Sequence, residues 1–222
     1  MSYSVLAPIY EQLMDDVLYT IYLDLILKYS TPSKVLELGC GTAYLSRELA
    51  KLDYDATAMD NNEEMLEMAS YYAGNDGVNI TFLQHNITEA ITGSYDLIIM
   101  PVDVINHLNT KDEVHQLFKH VFNSLNNNGL FIFDSLKCTY IESLIGHNEA
   151  ILIEGYDIEW EVKSVNLHCA HQHQVTVNKV TETHITKGYL EEDLYQMISA
   201  FNVIDKIELE ERIIYVLKQK EK

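Results

Sequence analysis

Two periods of hydrophobic residues alternate along the first 135 positions of the chain. Short apolar runs predict buried strands in the segments KVLEL, YDATAMD, NITFLQH, YDLIIMP and LFIFDS. Between these runs, apolar residues recur every three or four positions, which is typical of amphipathic helices. Because strand and helix alternate strictly, the sequence predicts an α/β fold with a doubly wound, mostly parallel sheet and right-handed crossovers.

The regions on either side of this alternation follow other patterns. Residues 4–29 carry apolar side chains at helical spacing and predict one or two helices interrupted near Pro8. Residues 149–187 alternate with a period of two, which predicts a small antiparallel β insertion of two or three strands. After the insertion, YLEEDLYQMISAF predicts a helix and VIDKIELEERIIYVLKQ a C-terminal antiparallel strand pair. Because no Pro/Gly-rich linker occurs, residues 1–222 are interpreted as a single domain.

Polar residues stand at the ends of the predicted parallel strands. These ends carry Glu37–Gly41, Asp60, His85–Asn86, Pro101–Asp103 and Asp134. In open parallel sheets, ligands bind beyond this edge, where the strand order reverses. The sequence therefore predicts a ligand site with four acidic groups, an amide and an imidazole along one rim.

The turn after the first strand, VLELGCGTAYLS, contains the two glycines Gly39 and Gly41. A dinucleotide-binding fingerprint needs a third glycine three positions later, where helix and strand pack closely. Tyr44 occupies that position, and no lysine follows the turn as it would in a phosphate-binding P-loop. The pattern argues against both of these nucleotide sites.

The same stretch resembles the first motif of Rossmann-like S-adenosylmethionine-dependent methyltransferases, E/D-x-G-x-G-x-G, with Glu37, Gly39, Gly41 and Ala43 in register. Four further segments resemble later motifs of this family in the same order: AMDNNEEML, FLQHNITE, SYDLIIMPVDVINHL and LNNNGLFIFDS. More narrowly, LAPIYEQLMDDVLY, VDVINHL and ETHITKGYLEEDL are similar to the YqeM-like bacterial small-molecule methyltransferases. The resemblance implies a Rossmann-like fold and S-adenosylmethionine as the cofactor.

The resemblance also implies a set of cofactor-binding residues: Glu37, Gly39, Cys40, Gly41, Asp60, Asn61, Met65, His85, Asn86, Ile87, Pro101 and Asp103. Asp60 is expected to accept hydrogen bonds from both ribose hydroxyls, its alternative role being a helix N-cap. Met65 is either an adenine contact or a core residue. Ala43 replaces a family glycine, which is tolerable where φ is negative. Asn86 replaces an aspartate, and its amide oxygen is expected to accept the adenine amino group.

Residues after the fourth strand are expected to meet the methyl acceptor. The catalytic candidates are His107, Asp103 and His184, and His107 is a candidate because imidazole exchanges protons near neutral pH. The candidate substrate contacts are Tyr10, Asn106 and Glu182. The alternative interpretation is that Asn106 and His107 only cap the following loop and helix.

Two segments are expected to enclose the acceptor. Residues 1–30 are predicted to form a helical lid containing Tyr3, Tyr10 and Tyr19, with core packing as the alternative role of these rings. The insertion, residues 149–187, is predicted to fold over the acceptor site.

The segment HCAHQHQV raises the question of a metal site. His171 and His173 would share one face of a strand, near His168 and Cys169. Because no second ligand cluster apart from His184 is evident, an ordinary strand is the preferred interpretation, and no metal is predicted.

The net charge limits the class of partner, and the cysteine content bears on the cellular compartment. The formal net charge is −19, which repels nucleic acid and anionic membranes and favours a neutral or cationic small molecule. The three cysteines are odd in number and widely spaced, so no disulfide is expected and a reducing, cytoplasmic location is predicted. No signal peptide or apolar run of membrane-spanning length is found. A homodimer is left open.

These patterns predict an S-adenosylmethionine-dependent methyltransferase that acts on a small molecule by in-line displacement. Such a transfer depends mainly on positioning and on exclusion of water, so no strong catalytic signature is required. Two alternatives are retained: a non-catalytic cofactor-binding module, and an RNA methyltransferase, which the net charge opposes.

Overall fold

The computed structural model describes residues 3–14, 16–153 and 155–220. Two 3-10 helices cover Ala7–Gln12 and Val104–His107. The α-helices are α1 (Asp16–Tyr29), α2 (Tyr44–Lys51), α3 (Glu63–Asp76), α4 (Lys111–Ser124), α5 (Cys138–Ser143) and α6 (Glu191–Met197). The strands are β1 (Lys34–Leu38), β2 (Asp55–Asp60), β3 (Thr81–Gln84), β4 (Tyr95–Met100), β5 (Leu125–Leu136), β6 (Asn148–Ile153), β7 (Tyr156–Ser164), β8 (Ala170–Val177), β9 (Val180–Lys187), β10 (Phe201–Glu208) and β11 (Arg212–Gln219).

The main sheet has seven strands in the order β3-β2-β1-β4-β5-β11-β10. The strands from β3 to β5 pair in parallel, whereas β11 pairs antiparallel with both β5 and β10. The prediction of a mostly parallel α/β sheet with a C-terminal antiparallel pair is confirmed. The order reverses at β1, which lies between β2 and β4, so the ligand edge of the sheet is centred on the end of β1.

Hydrophobic residues cover both faces of this sheet. On one face, α4 and α6 pack through residues such as Leu117 and Leu194 against Phe131 and Phe133 of β5. The other face is covered by α1 and α2. Burial on both faces explains why the parallel strands are continuously apolar in sequence.

Local signals set the helix ends. The Asn62 side chain caps α3 by accepting a hydrogen bond from the backbone of Met65, and Thr110 forms a capping box at the start of α4. Gly77, at φ +69°, ends α3, whereas Gly74 lies inside the helix.

The N-terminal segment and the start of β5 differ from the prediction. Pro8 lies in the first turn of the first 3-10 helix, where a proline is tolerated, so the helical segments are instead separated between Gln12 and Asp16. The NNNG segment is part of β5 rather than a turn before it. Asn128 takes a left-handed φ of +64° there.

The insertion forms a separate antiparallel sheet with four strands, β6-β7-β8-β9, which is more than the two or three predicted. Its apolar half packs on the N-terminal segment, where Leu6 and Ile9 meet Ile158, Val175 and Val177. We refer to residues 3–14 together with β6–β9 as the cover.

The cysteine prediction is wrong for two of the three residues. Cys138 of α5 and Cys169, just before β8, form a disulfide, while Cys40 is free and buried. Spacing could not reveal this pair, because the insertion brings together residues 31 positions apart. Among the described residues, no helix is both long and apolar enough to cross a membrane.

Candidate active site

A cavity of about 310 Å³ opens at the carboxyl ends of β1, β2 and β4. Its walls come from the rim of the parallel sheet and from the cover. We use the word rim for the strand ends that carry Glu37, Asp60, Asp103 and Asp134. The lining residues are Tyr3, Tyr10, Tyr19, Glu37, Gly39, Cys40, Gly41, Asp60, Asn61, Asn62, Met65, Asn86, Ile87, Thr88, Pro101, Val102, Val104, His107, Leu108, Asn109 and Glu113.

The glycine turn forms the floor of the cavity. Gly39 has φ +66°, and a Cβ atom there would lie 2.6 Å from a Val104 methyl group. Gly41 has φ +52°, and its Cβ would lie 3.4 Å from the ring of Tyr10. The turn therefore requires glycine at Gly39 for both conformation and space.

Ala43 also adopts a left-handed conformation, with φ +58°. The expectation that an alanine is tolerated here through a negative φ is therefore wrong. Left-handed backbone costs a residue with a Cβ roughly 1–2 kcal/mol. The methyl group is fully buried against Cys40, Ala58 and Ala69, and this packing offsets part of the strain.

Glu37 joins the turn to the helix that follows it. One carboxylate oxygen accepts hydrogen bonds from the backbone N–H of Ser46, at 3.0 Å, and from the Ser46 hydroxyl. Burial raises the pKa of Glu37 to about 7, although the Ser46 hydrogen bonds oppose this rise. The side chain thus holds the turn in place and faces the cavity with an oxygen whose charge depends on pH near neutrality.

Asp60 ties the end of β2 to the glycine turn. Its Oδ2 accepts from the backbone N–H of Gly41 and its Oδ1 from that of Asn62, both at 2.9 Å. The N-cap alternative is wrong, because Asn62 caps α3. A carboxylate has about four lone-pair directions, so acceptor capacity remains for a ligand. An oriented carboxylate with spare acceptors beside an open glycine turn fits the ribose of an adenosyl cofactor.

A buried ion-pair network supports the far part of the rim. Arg212 of β11 donates from Nη1 to Asp134 at 2.7 Å and to Asp103 at 3.0 Å. The Asp134 carboxylate also accepts from the Tyr22 hydroxyl and from the backbone N–H of Asp103. This network fixes the chain at the exit of β4 and occupies the Asp103 side chain.

The cavity lining also contains an imidazole and phenols. The Tyr3 hydroxyl lies 3.0 Å from Nε2 of His107. Burial lowers the pKa of His107, although Asp103 and Asp60 favour its charged form. The ring is therefore neutral at pH 7 and available as a proton acceptor.

Comparisons with known proteins agree with this geometry. Residues 35–129 match the family model described as "Methyltransferase domain". The putative methyltransferase YqeM of Bacillus subtilis (strain 168) is 34% identical over 138 residues, covering 60% of this chain and 55% of that protein. The ubiquinone biosynthesis O-methyltransferase of Rickettsia felis is 28% identical over 134 residues, covering 60% of this chain and 52% of that protein. The chain spans about half the length of these two relatives.

Solved structures show the same fold. An S-adenosylmethionine-dependent methyltransferase from Clostridium acetobutylicum ATCC 824 superposes with a TM-score of 0.84 at 21% identity, covering 98% of this chain and 97% of that one. The amino pentose methyltransferase CalS10 from Micromonospora echinaspora, solved with S-adenosylmethionine bound, gives 0.74 at 12% identity, covering 99% and 98%.

Residues 35–129 therefore resemble a methyltransferase domain in sequence, and the chain has the Rossmann-like fold of S-adenosylmethionine-dependent methyltransferases. The family and these structures indicate S-adenosylmethionine as the cofactor, and the glycine turn and Asp60 line the cavity where it is predicted to bind.

Most of the predicted cofactor residues line the cavity of the methyltransferase domain. They are Glu37, Gly39, Cys40, Gly41, Asp60, Asn61, Met65, Asn86, Ile87 and Pro101. Met65 is buried in α3 and also reaches the cavity, so it is a core residue, while its adenine contact stays a prediction. His85 and Asp103 do not line it. The backbone N–H of His85 bonds to the carbonyl of Asp60, and Asp103 pairs with Arg212.

Asn86 is arranged differently from the aspartate that it replaces. Its Oδ1 accepts hydrogen bonds from the backbone N–H and the hydroxyl of Thr88, at 3.0 and 2.9 Å. Both lone pairs of the amide oxygen are thereby used. For Oδ1 to accept the adenine amino group as predicted, one of these bonds must break.

Among the predicted acceptor residues, His107 and Tyr10 line the cavity and the others do not. Asn106 is buried, accepting from the backbone N–H of Leu136 at 3.0 Å and donating to the carbonyl of Lys187 at 2.7 Å. It therefore joins the second 3-10 helix to β5 and β9. Glu182 and His184 lie on β9 next to the N-terminal segment.

Several lining residues are not among the predicted site residues. Asn62, Thr88, Val104 and Glu113 reach the cavity because they flank predicted residues in turns and helix starts. Arg212 is also not among the predicted residues, because it meets Asp103 only through the pairing of β11 with β5.

Proposed function

We propose that this protein transfers the methyl group of S-adenosylmethionine to a small-molecule acceptor. The observation that carries the proposal is the cavity itself, whose lining brings the glycine turn and Asp60 together with Tyr3 and His107. Because the chain spans only about half of two of its curated relatives, this activity is inferred for the chain rather than transferred from them.

Asp60, the glycine turn with Glu37, and the cover have separate roles in the proposed transfer. When bound, the cofactor supplies a methyl group activated on a sulfonium. Asp60 holds the ribose, while the glycine turn and Glu37 orient the methionine part. The cover excludes water, so that the acceptor meets the methyl group in line.

Electrostatics favours a neutral or cationic acceptor. The cavity lining includes the carboxylates Glu37, Asp60 and Glu113, and no lysine or arginine is among its described residues. The net charge of −19 opposes a polyanionic substrate such as RNA.

Calorimetric titration with S-adenosylmethionine and S-adenosylhomocysteine tests the proposal. We expect micromolar binding, a loss of at least about tenfold in Asp60→Ala, and no change in the surface control Asp157→Ala. Absence of binding to the wild type at millimolar cofactor contradicts the proposal. Binding without S-adenosylhomocysteine formation across a panel of alcohols, amines and thiols would favour a non-catalytic module.

A further inference from the structure

Tyr3 joins the rim to the cover at the wall of the cavity. Its hydroxyl lies 3.0 Å from Nε2 of His107, which belongs to the second 3-10 helix. Its ring stacks on His184 of β9, with the ring centres 4.3 Å apart and the planes 7° from parallel. One aromatic side chain from the N-terminal segment is thus fixed by histidines from two separate parts of the fold.

The backbone around Tyr3 is also held. Its carbonyl accepts hydrogen bonds from the N–H groups of Leu6 and Ala7, and the N–H of Val5 donates to Glu182 at 3.4 Å. Leu6 then packs into the apolar half of the insertion sheet. Together with the stack on His184, these contacts hold the phenol against the cavity.

The protonation states of the pair define its hydrogen bond. Burial lowers the pKa of His107, and burial raises the pKa of Tyr3 well above its ordinary value, so both groups are uncharged at pH 7. Between a neutral phenol and a neutral imidazole, the phenol is the stronger acid and the imidazole nitrogen the stronger base. The Tyr3 O–H therefore donates to Nε2, and the lone pairs of the phenol oxygen remain available at the cavity wall.

On the basis of the proposed function, we propose that Tyr3 and His107 form a proton relay. The relay deprotonates a methyl acceptor whose nucleophile is a hydroxyl or an ammonium group and therefore carries a proton. The nucleophile gives its proton to the Tyr3 oxygen as the phenolic proton moves to Nε2 of His107. The freed lone pair forms the new bond to the methyl carbon, and the electrons of the broken sulfur–carbon bond remain on sulfur. The sulfonium charge is replaced by an imidazolium charge, which Asp103 and Asp60 stabilise.

This assignment gives His184 a separate task. Its side chain is buried, and it contacts the face of the Tyr3 ring rather than the cavity. His184 is therefore a positioning residue, and the insertion contributes to the relay by holding the phenol in reach of His107.

The first test measures the His107 tautomer by ¹⁵N NMR in the complex with S-adenosylhomocysteine. We expect the proton on Nδ1 and an unprotonated, hydrogen-bonded Nε2, whose signal shifts in Tyr3→Phe. The control Tyr71→Phe, at an exposed ring, leaves the signal unchanged. A proton found on Nε2 in the wild type would overturn the relay, because Tyr3 would then be the acceptor of that bond.

The second test compares acceptors by their need for a base. For hydroxyl or ammonium acceptors, Tyr3→Phe and His107→Asn should lower kcat by about 10²-fold with little change in KM. A thiol that is already ionised needs no relay, so the loss of kcat in both variants should be much smaller for it than for hydroxyl or ammonium acceptors. Equal losses for all acceptors, or none for hydroxyls, would contradict the relay.

The two proposals fail in different ways. If the wild type does not bind S-adenosylmethionine, the methyltransferase function is lost. If binding is normal and the imidazole signal does not respond to Tyr3→Phe, only the relay is wrong. The NMR measurement decides this without a known acceptor.

Discussion

The rim and the cover meet at one cavity but hold their buried polar groups differently. At the rim, carboxylates are bound by backbone N–H groups, by Ser46 and by Arg212. In the cover, the buried polar groups are mainly uncharged imidazoles: His171 Nε2 lies 2.7 Å from His173 Nε2, and His184 stacks on Tyr3. The rim is therefore suited to hold a cationic cofactor, whereas the imidazoles of the cover are uncharged and lie behind the cavity wall.

The two regions respond to burial with opposite pKa shifts. Burial raises the pKa of Glu37 to about 7 and lowers the pKa values of His173 and His184 to about 3 and about 4. In both cases the uncharged form is favoured. The same physical cause thus makes the stability of the rim and that of the cover change in opposite directions with pH.

The largest expected effect on stability comes from disrupting the ion-pair network that supports the rim. Arg212→Met removes the cation from a buried network and leaves Asp134 without its charge partner, which should lower the free energy of unfolding by about 3–5 kcal/mol. Chemical denaturation measures the loss. The double variant Arg212→Met/Asp134→Asn, which buries no unpaired charge, should recover part of it; no recovery would show that the charges are not coupled.

The next effect concerns the attachment of the cover. Cys138→Ser/Cys169→Ser opens a loop with a sequence separation of 31 residues, and a chain-entropy estimate gives a loss of about 3–4 kcal/mol. Denaturation of the wild type with and without dithiothreitol should show a similar difference. Reductant should not affect the double variant. A wild type with three reactive thiols after denaturation without reductant would show that the bond does not form.

The stability of the rim and the stability of the cover depend on pH in opposite ways. For Glu37, whose folded pKa is raised, the folded state binds more protons than the unfolded state between about pH 4.5 and 7, so its contribution to stability falls as pH rises through that window. For His173 and His184, whose pKa values are lowered, stability is complete above about pH 6.5 and is lost as pH falls toward 4 and 3.

Two variants separate these opposite dependences of unfolding free energy on pH. Glu37→Gln should make stability rise more steeply between pH 4.5 and 6.5, by up to about 1.4 kcal/mol per pH unit, whereas His184→Asn should flatten the rise. Denaturant titrations at fixed temperature measure both slopes. Slope changes of the same sign in the two variants would contradict the comparison.

The smallest expected effect comes from a substitution in the glycine turn. Ala43→Gly relieves a left-handed alanine but removes a buried methyl group and adds freedom to the unfolded chain. We expect a change in unfolding free energy within about 1 kcal/mol and cofactor affinity equal to or higher than that of the wild type. A clear loss of affinity in calorimetry would show that the methyl group supports the turn.

The rim could be predicted from sequence because its residues follow one another locally. Glu37, Gly39 and Gly41 lie within one turn, and Asp60 ends the next strand, so motif and strand order suffice to bring them together. Asn62 as the helix cap and the positive φ of Ala43 are finer details, which the spacing of the motif does not specify.

The acceptor side depends on pairings that no local pattern contains. Tyr3 meets His107 across 104 positions, and Arg212 meets Asp103 across 109. The insertion strands were visible from their alternation, but where their sheet packs depends on the contact with Leu6 and Ile9. That packing moves His184 and Glu182 behind Tyr3 instead of into the cavity.

The disulfide also changes how the chain is connected. Cys138 and Cys169 close a covalent ring that contains β6 and β7. A single proteolytic cut inside this ring leaves one molecule of unchanged mass on a non-reducing gel, and two fragments appear only after reduction. A cut outside the ring releases a fragment at once, so nicking the protein reveals the state of the bond without disturbing the site.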